Sequence, residues 1–277
     1  MNDSIKAVLH GLTVGASMSV PGISGGSMAI ILGIYDRLLR SVGEIFKKPK
    51  ESLPYLIKFS AGAAAGIFLI AGAVNFVLGT PAGLPLRFFF LGAVAGGIPM
   101  ILRKAKPGRV TPSTVLLILS GVAAVLLLGL IPEGLFSPAK DGAGAAAIQF
   151  AGGILVAAAL VLPGISASHI MYMLGIYEPA AECLSRMDII PLIPLGLGLA
   201  VGTFLTAKLF GRLMERHGGI CYPVILGFMC GSLYELIPEV AFTWQWLLGG
   251  VCTATGFVLV RAVCLRETAA NSQPHSH

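Results

Sequence analysis

Charge is what this chain has least of. Asp, Glu, Lys and Arg make up only 12% of its 277 residues, against about 25% in an average soluble domain. That is too little for the surface of an ordinary soluble enzyme, for a disordered chain, or for a nucleic-acid binder. Paired cysteines are missing as well. Cys183, Cys221, Cys230, Cys252 and Cys264 are odd in number and none has CxxC spacing, so they read as small apolar packing residues. There is no HExxH, no Walker loop and no pair of carboxylates on one predicted face. A serine nucleophile would need a base and an orienting acid, and the only base near the serines discussed below is His169. No catalytic set, no metal and no cofactor is therefore expected. No cleavable signal peptide is evident either, because the apolar start runs directly into a motif described below.

What fills the chain is apolar. Hydrophobic residues make up 56% and the mean hydropathy is +0.86. The reading is an all-α polytopic membrane protein with room for about eight apolar segments of ~20 residues. Glycine is abundant, 36 residues, and in a membrane small residues let helices approach closely. The net charge of +6 and pI near 9.2 fit Lys and Arg held in cytoplasmic loops.

The sequence repeats itself. Residues 21–35 read PGISGGSMAIILGIY and residues 163–177 read PGISASHIMYMLGIY, identical at eight of fifteen positions without a gap. Gly62, Gly66, Phe68 and Leu69 answer Gly198, Gly202, Phe204 and Leu205, and Gly92 and Gly96 answer Gly227 and Gly231. Two homologous halves follow, about 1–135 and 145–265, joined by the polar stretch Pro132 to Gly144. A disordered cytoplasmic tail is expected at 266–277. Each half has one broken apolar segment (5–39 and 145–177) and three long ones: 54–79, 86–102 and 113–131, then 189–208, 220–237 and 243–260. The broken segments are too long for one crossing and too short for two. Pro21-Gly22 and Pro163-Gly164 stand in their middles. Proline disfavours helix at the residue before it. Two short arms around PGIS make a re-entrant hairpin.

Charge counting favours that topology. With both hairpins re-entrant, sixteen of the nineteen Lys and Arg fall on one side, leaving Arg87, Lys140 and Arg186 opposite. Both termini are then cytoplasmic. Three full crossings per half invert the second half, so the hairpin tips enter from opposite sides and meet near the midplane, as in secondary transporters.

Irregular backbone at membrane depth is tolerated only where protein or water satisfies it. After each PGIS a helix restarts, and its free N–H groups favour an anion. Gly25 and Gly26 leave room for close backbone approach. Ser24 and Ser27 add hydroxyls, and Ser166, Ser168 and His169 do so in the second copy. The same serines also suit helix capping. Arg87 near the outer surface either anchors at the interface or meets a headgroup. His169, in place of Ser27, is a candidate for binding or proton relay. His10 reads as a packed side chain and Glu235 as an interfacial acid. Lys47, Lys48 and Lys50 face anionic lipid headgroups.

The motifs VPGISGGSMAIILGIYDRL (20–38) and LPGISASHIMYMLGIYE (162–178) resemble those of the bacterial polyprenyl-phosphate transporter (PopT) family, and the resemblance runs from Gly11 to about Val260. It implies a bacterial inner-membrane protein that flips undecaprenyl phosphate, the recycled lipid carrier of cell-wall synthesis, from the outer to the inner leaflet. Proton or sodium coupling stays open. Ala167 departs from the glycine expected there, and its methyl group reduces backbone access. The residues themselves imply only an anion near the midplane, so two other classes remain. One is a transporter of small soluble anions. The other is a lipid pyrophosphate phosphatase, which also uses Pro-Gly-x-Ser hairpins but places an Arg after the Ser, where this chain has Gly25 and Ala167.

Overall fold

A computed structural model describes residues 3–18, 24–105, 111–131, 143–237 and 245–271. Among them there are eleven α-helices and no strand. In order they are α1 (Asp3–Met18), α2 (Gly25–Ile31), α3 (Tyr35–Gly43), α4 (Pro49–Leu78), α5 (Gly83–Ala105), α6 (Pro112–Gly129), α7 (Ala143–Val161), α8 (Ala167–Met173), α9 (Tyr177–Ser185), α10 (Ile193–Leu236) and α11 (Gln245–Asn271). Six helical stretches are long and apolar enough to cross a membrane: Pro49–Leu78, Gly83–Arg103, Pro112–Gly129, Gly144–Val161, Ile190–Tyr234 and Gln245–Leu265. Their outer faces carry exposed Phe68, Phe76, Leu116, Leu127, Leu247 and Val251, a surface that belongs in lipid. The chain is a multi-pass membrane protein.

Three expectations gain detail. The segments 189–208 and 220–237 are two helical limbs that follow each other without a loop and meet at a kink at His217 (φ −131°, ψ 40°); together they span the 44 residues numbered α10. Lys208, Arg212, Glu215 and Arg216 are polar but good helix formers, so charge there did not mean loop. A straight helix of that length would measure about 66 Å, twice a hydrocarbon core. Second, the arms around the breaks are unequal. α7 has 19 residues, about 28 Å, enough to cross by itself, whereas α2 and α8 have seven. The chain breaks again at Gly33 and Gly175, both in the left-handed region (φ 68° and 63°). Here Gly33 N–H bonds Ile30 O and Ile34 N–H bonds Ala29 O, with Gly175 to Tyr172 and Ile176 to Met171 in the second copy. That pattern is a Schellman helix end, and it starts α3 and α9. Third, α11 runs to Asn271, five residues past Arg266 into the expected tail. Residues 272–277 lie outside the described residues.

Glycine sets the helix pairs. Gly62 and Gly66 of α4 lie against the carbonyls of Val8 and Leu12 of α1, where any Cβ would collide. Gly198 and Gly202 of α10 lie in the same way against Phe150 and Ile154 of α7. Each contact advances four residues on both helices, so α1 runs parallel to α4, and α7 to the first limb of α10. Lys58 Nζ donates to Ser4 Oγ at 2.6 Å near the starting ends of α4 and α1. α4 therefore starts at the end of the molecule where α1 began.

The remaining long helices pair across the two halves. Gly92 of α5 packs on Thr253 of α11, and Gly227 of α10 on Ile118 of α6. Gly121 of α6 packs on Val224 of α10, and Gly256 of α11 on Phe89 of α5. Each contact has its counterpart with the halves exchanged, which is the signature of a self-complementary interface. The larger apolar core gathers Met28, Ile30, Ile31, Ile34, Ile101, Ile225 and Met229 around α2. A smaller one gathers Val156, Ile170, Met173, Leu174 and Ile176 around α8.

Candidate functional site

Residues 19–23, and with them Pro21 and Gly22, lie outside the described residues. Ser24 holds the N-cap position of α2 in extended conformation (φ −84°, ψ 135°), yet its hydroxyl caps nothing in α2. It donates instead to Leu162 O, 3.3 Å away. Tyr35 Oη donates to the neighbouring Val161 O at 2.9 Å. Val161 and Leu162 end α7, where carbonyls run out of helical partners. The first motif supplies donors for two of them. Burial, and then the adjacent Asp36, push the Tyr35 phenol above its usual pKa, so it stays a donor.

Gly25, Gly26 and Ser27 are buried. A Cβ on Gly26 would stand 3.0 Å from Pro163 Cα and 3.1 Å from Val161 O, so even an alanine would need the second break to give by a few tenths of an ångström. At Gly25 the nearest atom would be Met18 Sδ, 2.8 Å away, the end of a flexible side chain. Ser27 is 2% exposed, and among the described residues its Oγ has no hydrogen-bond partner.

The second motif is built on the same backbone with other contacts. Pro163 is fully buried and Gly164 takes φ +83°, its Cα side pressed on the Phe228 backbone. Ser166 caps α8 by accepting from His169 N–H at 3.4 Å. Ala167 is half-buried and Ser168 exposed. His169 is half-buried, with Nε2 3.2 Å from Leu128 O of α6. The structure thus joins Ser24 and Gly26 to Pro163 and its preceding carbonyls. α2 packs mainly on α1 and α5 and touches the end of α7 through Ser24 and Gly26, while α8 packs on α7 and α9.

Arg87 is exposed in the first turn of α5, and His10 is half-buried on α1. The side chain of Glu235 lies outside the described residues. None of the five cysteines forms a disulfide. Among the described residues no three of His, Cys, Asp and Glu gather as metal ligands would.

Two features escaped the sequence. A cavity of about 400 Å³ lies between α1, α3 and α4 on one side and α7 and α10 on the other. Its walls are almost wholly apolar: Val14, Met18, Ala29, Leu38, Phe59 and Ala64 among them, with Gly25 and Gly26. Beyond Leu39 and Ala207 it adjoins a charged cleft between α3 and α10, lined by Arg40, Glu44, Lys47, Lys208, Arg212 and Glu215. The charges were visible, but not that α3 and α10 would bring them together.

The sequence model of a family described as undecaprenyl phosphate translocase-like matches residues 14–248. The chain is 25% identical to the polyprenyl-phosphate transporter of Staphylococcus aureus (strain NCTC 8325 / PS 47) over 278 positions, 95% of this chain and 97% of the relative. It is 26% identical to the polyprenyl-phosphate transporter of Vibrio cholerae serotype O1 (strain ATCC 39315 / El Tor Inaba N16961) over 256 positions, 87% of this chain and 80% of the relative. No solved structure matches it.

Proposed function

Because the chain belongs to the undecaprenyl phosphate translocase-like family, we propose that it carries polyprenyl phosphate from the outer to the inner leaflet of a bacterial cell membrane, returning the carrier lipid for reuse. Family and relatives mark it as a transporter and not an enzyme. The observation that carries the reading is the contact between the two proline-broken motifs. Ser24 of one donates to the chain end of the other, and Gly26 rests on Pro163.

In this reading the halves 1–135 and 145–265 are inverted repeats, and the returning chain of 19–48 is a re-entrant hairpin. The parallel pairing of α1 with α4 and of α7 with the first limb of α10 supports it. So does the sixteen-to-three division of Lys and Arg. The phosphate binds where the breaks meet, among Ser24, Gly25, Gly26, Ser27, Ser166, Ala167, Ser168 and His169. A buried hydroxyl without a partner is costly, and a phosphate oxygen would give Ser27 one. Arg87 draws the headgroup in from the outer leaflet. The tail stays in apolar surroundings, since only the charged head is expensive to move through hydrocarbon.

Passage requires the Gly26–Pro163 contact to part. Rigid rocking of one half against the other would tear the glycine contacts between α5 and α11 and between α6 and α10. The motion falls instead between that four-helix centre and the two outer pairs, α1 with α4 and α7 with the first limb of α10. A proton taken by His169 or a sodium ion drives it in one direction.

A leaflet-resolved assay in liposomes, with and without pH and sodium gradients, tests the function. Labelled undecaprenyl phosphate should move only with active protein, and movement of free phosphate instead would replace this reading with a small-anion transporter. Ser24→Ala and Ser166→Ala should each weaken lipid-phosphate binding by about 1.5–3 kcal/mol, roughly ten- to hundred-fold. Wild-type affinity in both would remove the phosphate from the breaks. For topology, cysteines placed at Ser41 and Glu215 should label from the cytoplasm, and those at Lys140 and Asp188 from outside.

A further inference from the structure

The apolar cavity and the charged cleft beside it share Leu39 and Ala207 in their walls. Side by side they make one amphiphilic stretch along α3 and α10. Its inner end is Gly25, Gly26, Tyr35 and Val161, at the meeting of the breaks. Its outer end holds four cations, Arg40, Lys47, Lys208 and Arg212, against two acids, Glu44 and Glu215. Among the described residues no ion pair joins these cations to those acids; Lys208 Nζ lies 5.2 Å above the Phe204 ring. The cleft therefore keeps a surplus of positive charge. Between the two ends the wall offers few polar groups. The Tyr35 hydroxyl is spent on Val161 O and the Thr203 hydroxyl on Leu199 O. Such a cavity excludes water and accepts hydrocarbon.

The other copy of the motif lacks this arrangement. α3 reads YDRLLRSVG, with two arginines, whereas α9 reads YEPAAECLS, with none. The one arginine beside α9, Arg186, is held by Glu182 at 2.7 Å. The basic mouth belongs to one end of the molecule only.

Building on the proposed substrate, we infer that the cleft gives polyprenyl phosphate a second headgroup position, apart from the one at the breaks and next to the cavity that leads to them. The headgroup rests in the cleft on Arg40, Lys208 and Arg212, and the first isoprene units lie in the cavity between α4 and α10. It is the station from which the lipid leaves on the α3 side. A single branched hydrocarbon chain fits a narrow apolar cavity with a basic mouth. A two-chain phospholipid would fill the mouth alone.

The test uses the full-length protein in nanodiscs of neutral lipid, with binding counted by native mass spectrometry. The probes are undecaprenyl phosphate, phosphatidylglycerol and dimethylallyl phosphate. R40Q/K208Q/R212Q should weaken undecaprenyl phosphate binding roughly ten- to hundred-fold. Thr203→Phe from the α10 wall, or Ala64→Phe from α4 should the first not fold, should weaken it about as much while leaving dimethylallyl phosphate unchanged. Leu116→Phe, on the lipid face of α6, should change nothing. Undiminished binding in the charge and cavity variants, with loss in Ser24→Ala, overturns this inference and leaves the proposed function standing. Equal loss of phosphatidylglycerol in both kinds of variant also overturns it, because the cleft would then be a general lipid anchor. Failure of the unmodified protein to bind undecaprenyl phosphate at all removes the proposed substrate and this inference with it.

Discussion

The two PGIS motifs share eight residues, yet they sit in different surroundings. Tyr35 is buried and donates to Val161 O, while its counterpart Tyr177 stacks on Tyr172 with ring centroids 4.1 Å apart. Ser24 bonds across to Leu162, whereas Ser166 caps its own helix. Gly26 is pinned on Pro163, and Ser168 in the matching place is exposed. Two of these three contrasts, at the tyrosines and the first serines, fall on identical residues, so the surroundings decide what each motif touches. The first motif reaches across and closes. The second receives.

That contrast is open to attack by paired substitutions. The largest effect belongs to Gly26→Leu, which drives a side chain into the Pro163 backbone. Overpacking of this kind costs about 1–3 kcal/mol or more. Transport should vanish and the thermal midpoint fall, while Ser168→Leu leaves the midpoint nearly unchanged. Equal loss in both would erase the distinction between the motifs. Gly164→Ala comes next, since it combines a φ of +83° with a Cβ 2.6 Å from Phe228 backbone atoms. Its membrane yield and melting temperature should drop well below those of Gly144→Ala, where an added Cβ meets nothing within 4 Å. Tyr35→Phe strands a buried carbonyl and should destabilise by about 1–3 kcal/mol, read from denaturation in detergent. Tyr177→Phe should cost a few tenths at most, its ring stacking being kept. Ser166→Ala should remove a cap of about 0.5–2 kcal/mol, seen as faster hydrogen exchange at His169 and Ile170. The same change at Ser24 should leave α2 exchange unaltered.

Much of this molecule can be read from its residues. Hydrophobic runs give α4, α5, α6 and α11, and the second copy of the repeat marks the end of α7 at Pro163. The second break, at Gly33 and Gly175, lies in the repeated LGIY, but a lone glycine in an apolar run suits helix packing equally well. The pairing of α5 with α11 was beyond reach, since helices that are apolar all round do not announce which face meets which neighbour. At the site the serines and glycines stand out, but their partners are main-chain carbonyls, which have no side-chain signature. Gly26 reads as room for a ligand, and nothing in the sequence shows that Pro163 also lies against it. The cleft around Arg40 and Arg212 depends on α10 staying helical through Arg216, where a run of charge reads equally well as a loop.

The exchange of helices between the halves has a consequence for how the chain is made. Gly92 and Gly121 emerge from the ribosome early, but the carbonyls they rest on, Thr253 and Val224, belong to the second half. Contacts so distant in sequence are slow to form. The first half therefore waits in the membrane with its glycine faces covered by lipid until α10 and α11 arrive. Each half is the other's template, and cutting the chain in the 132–142 linker should leave two fragments that are unstable apart and stable when made together.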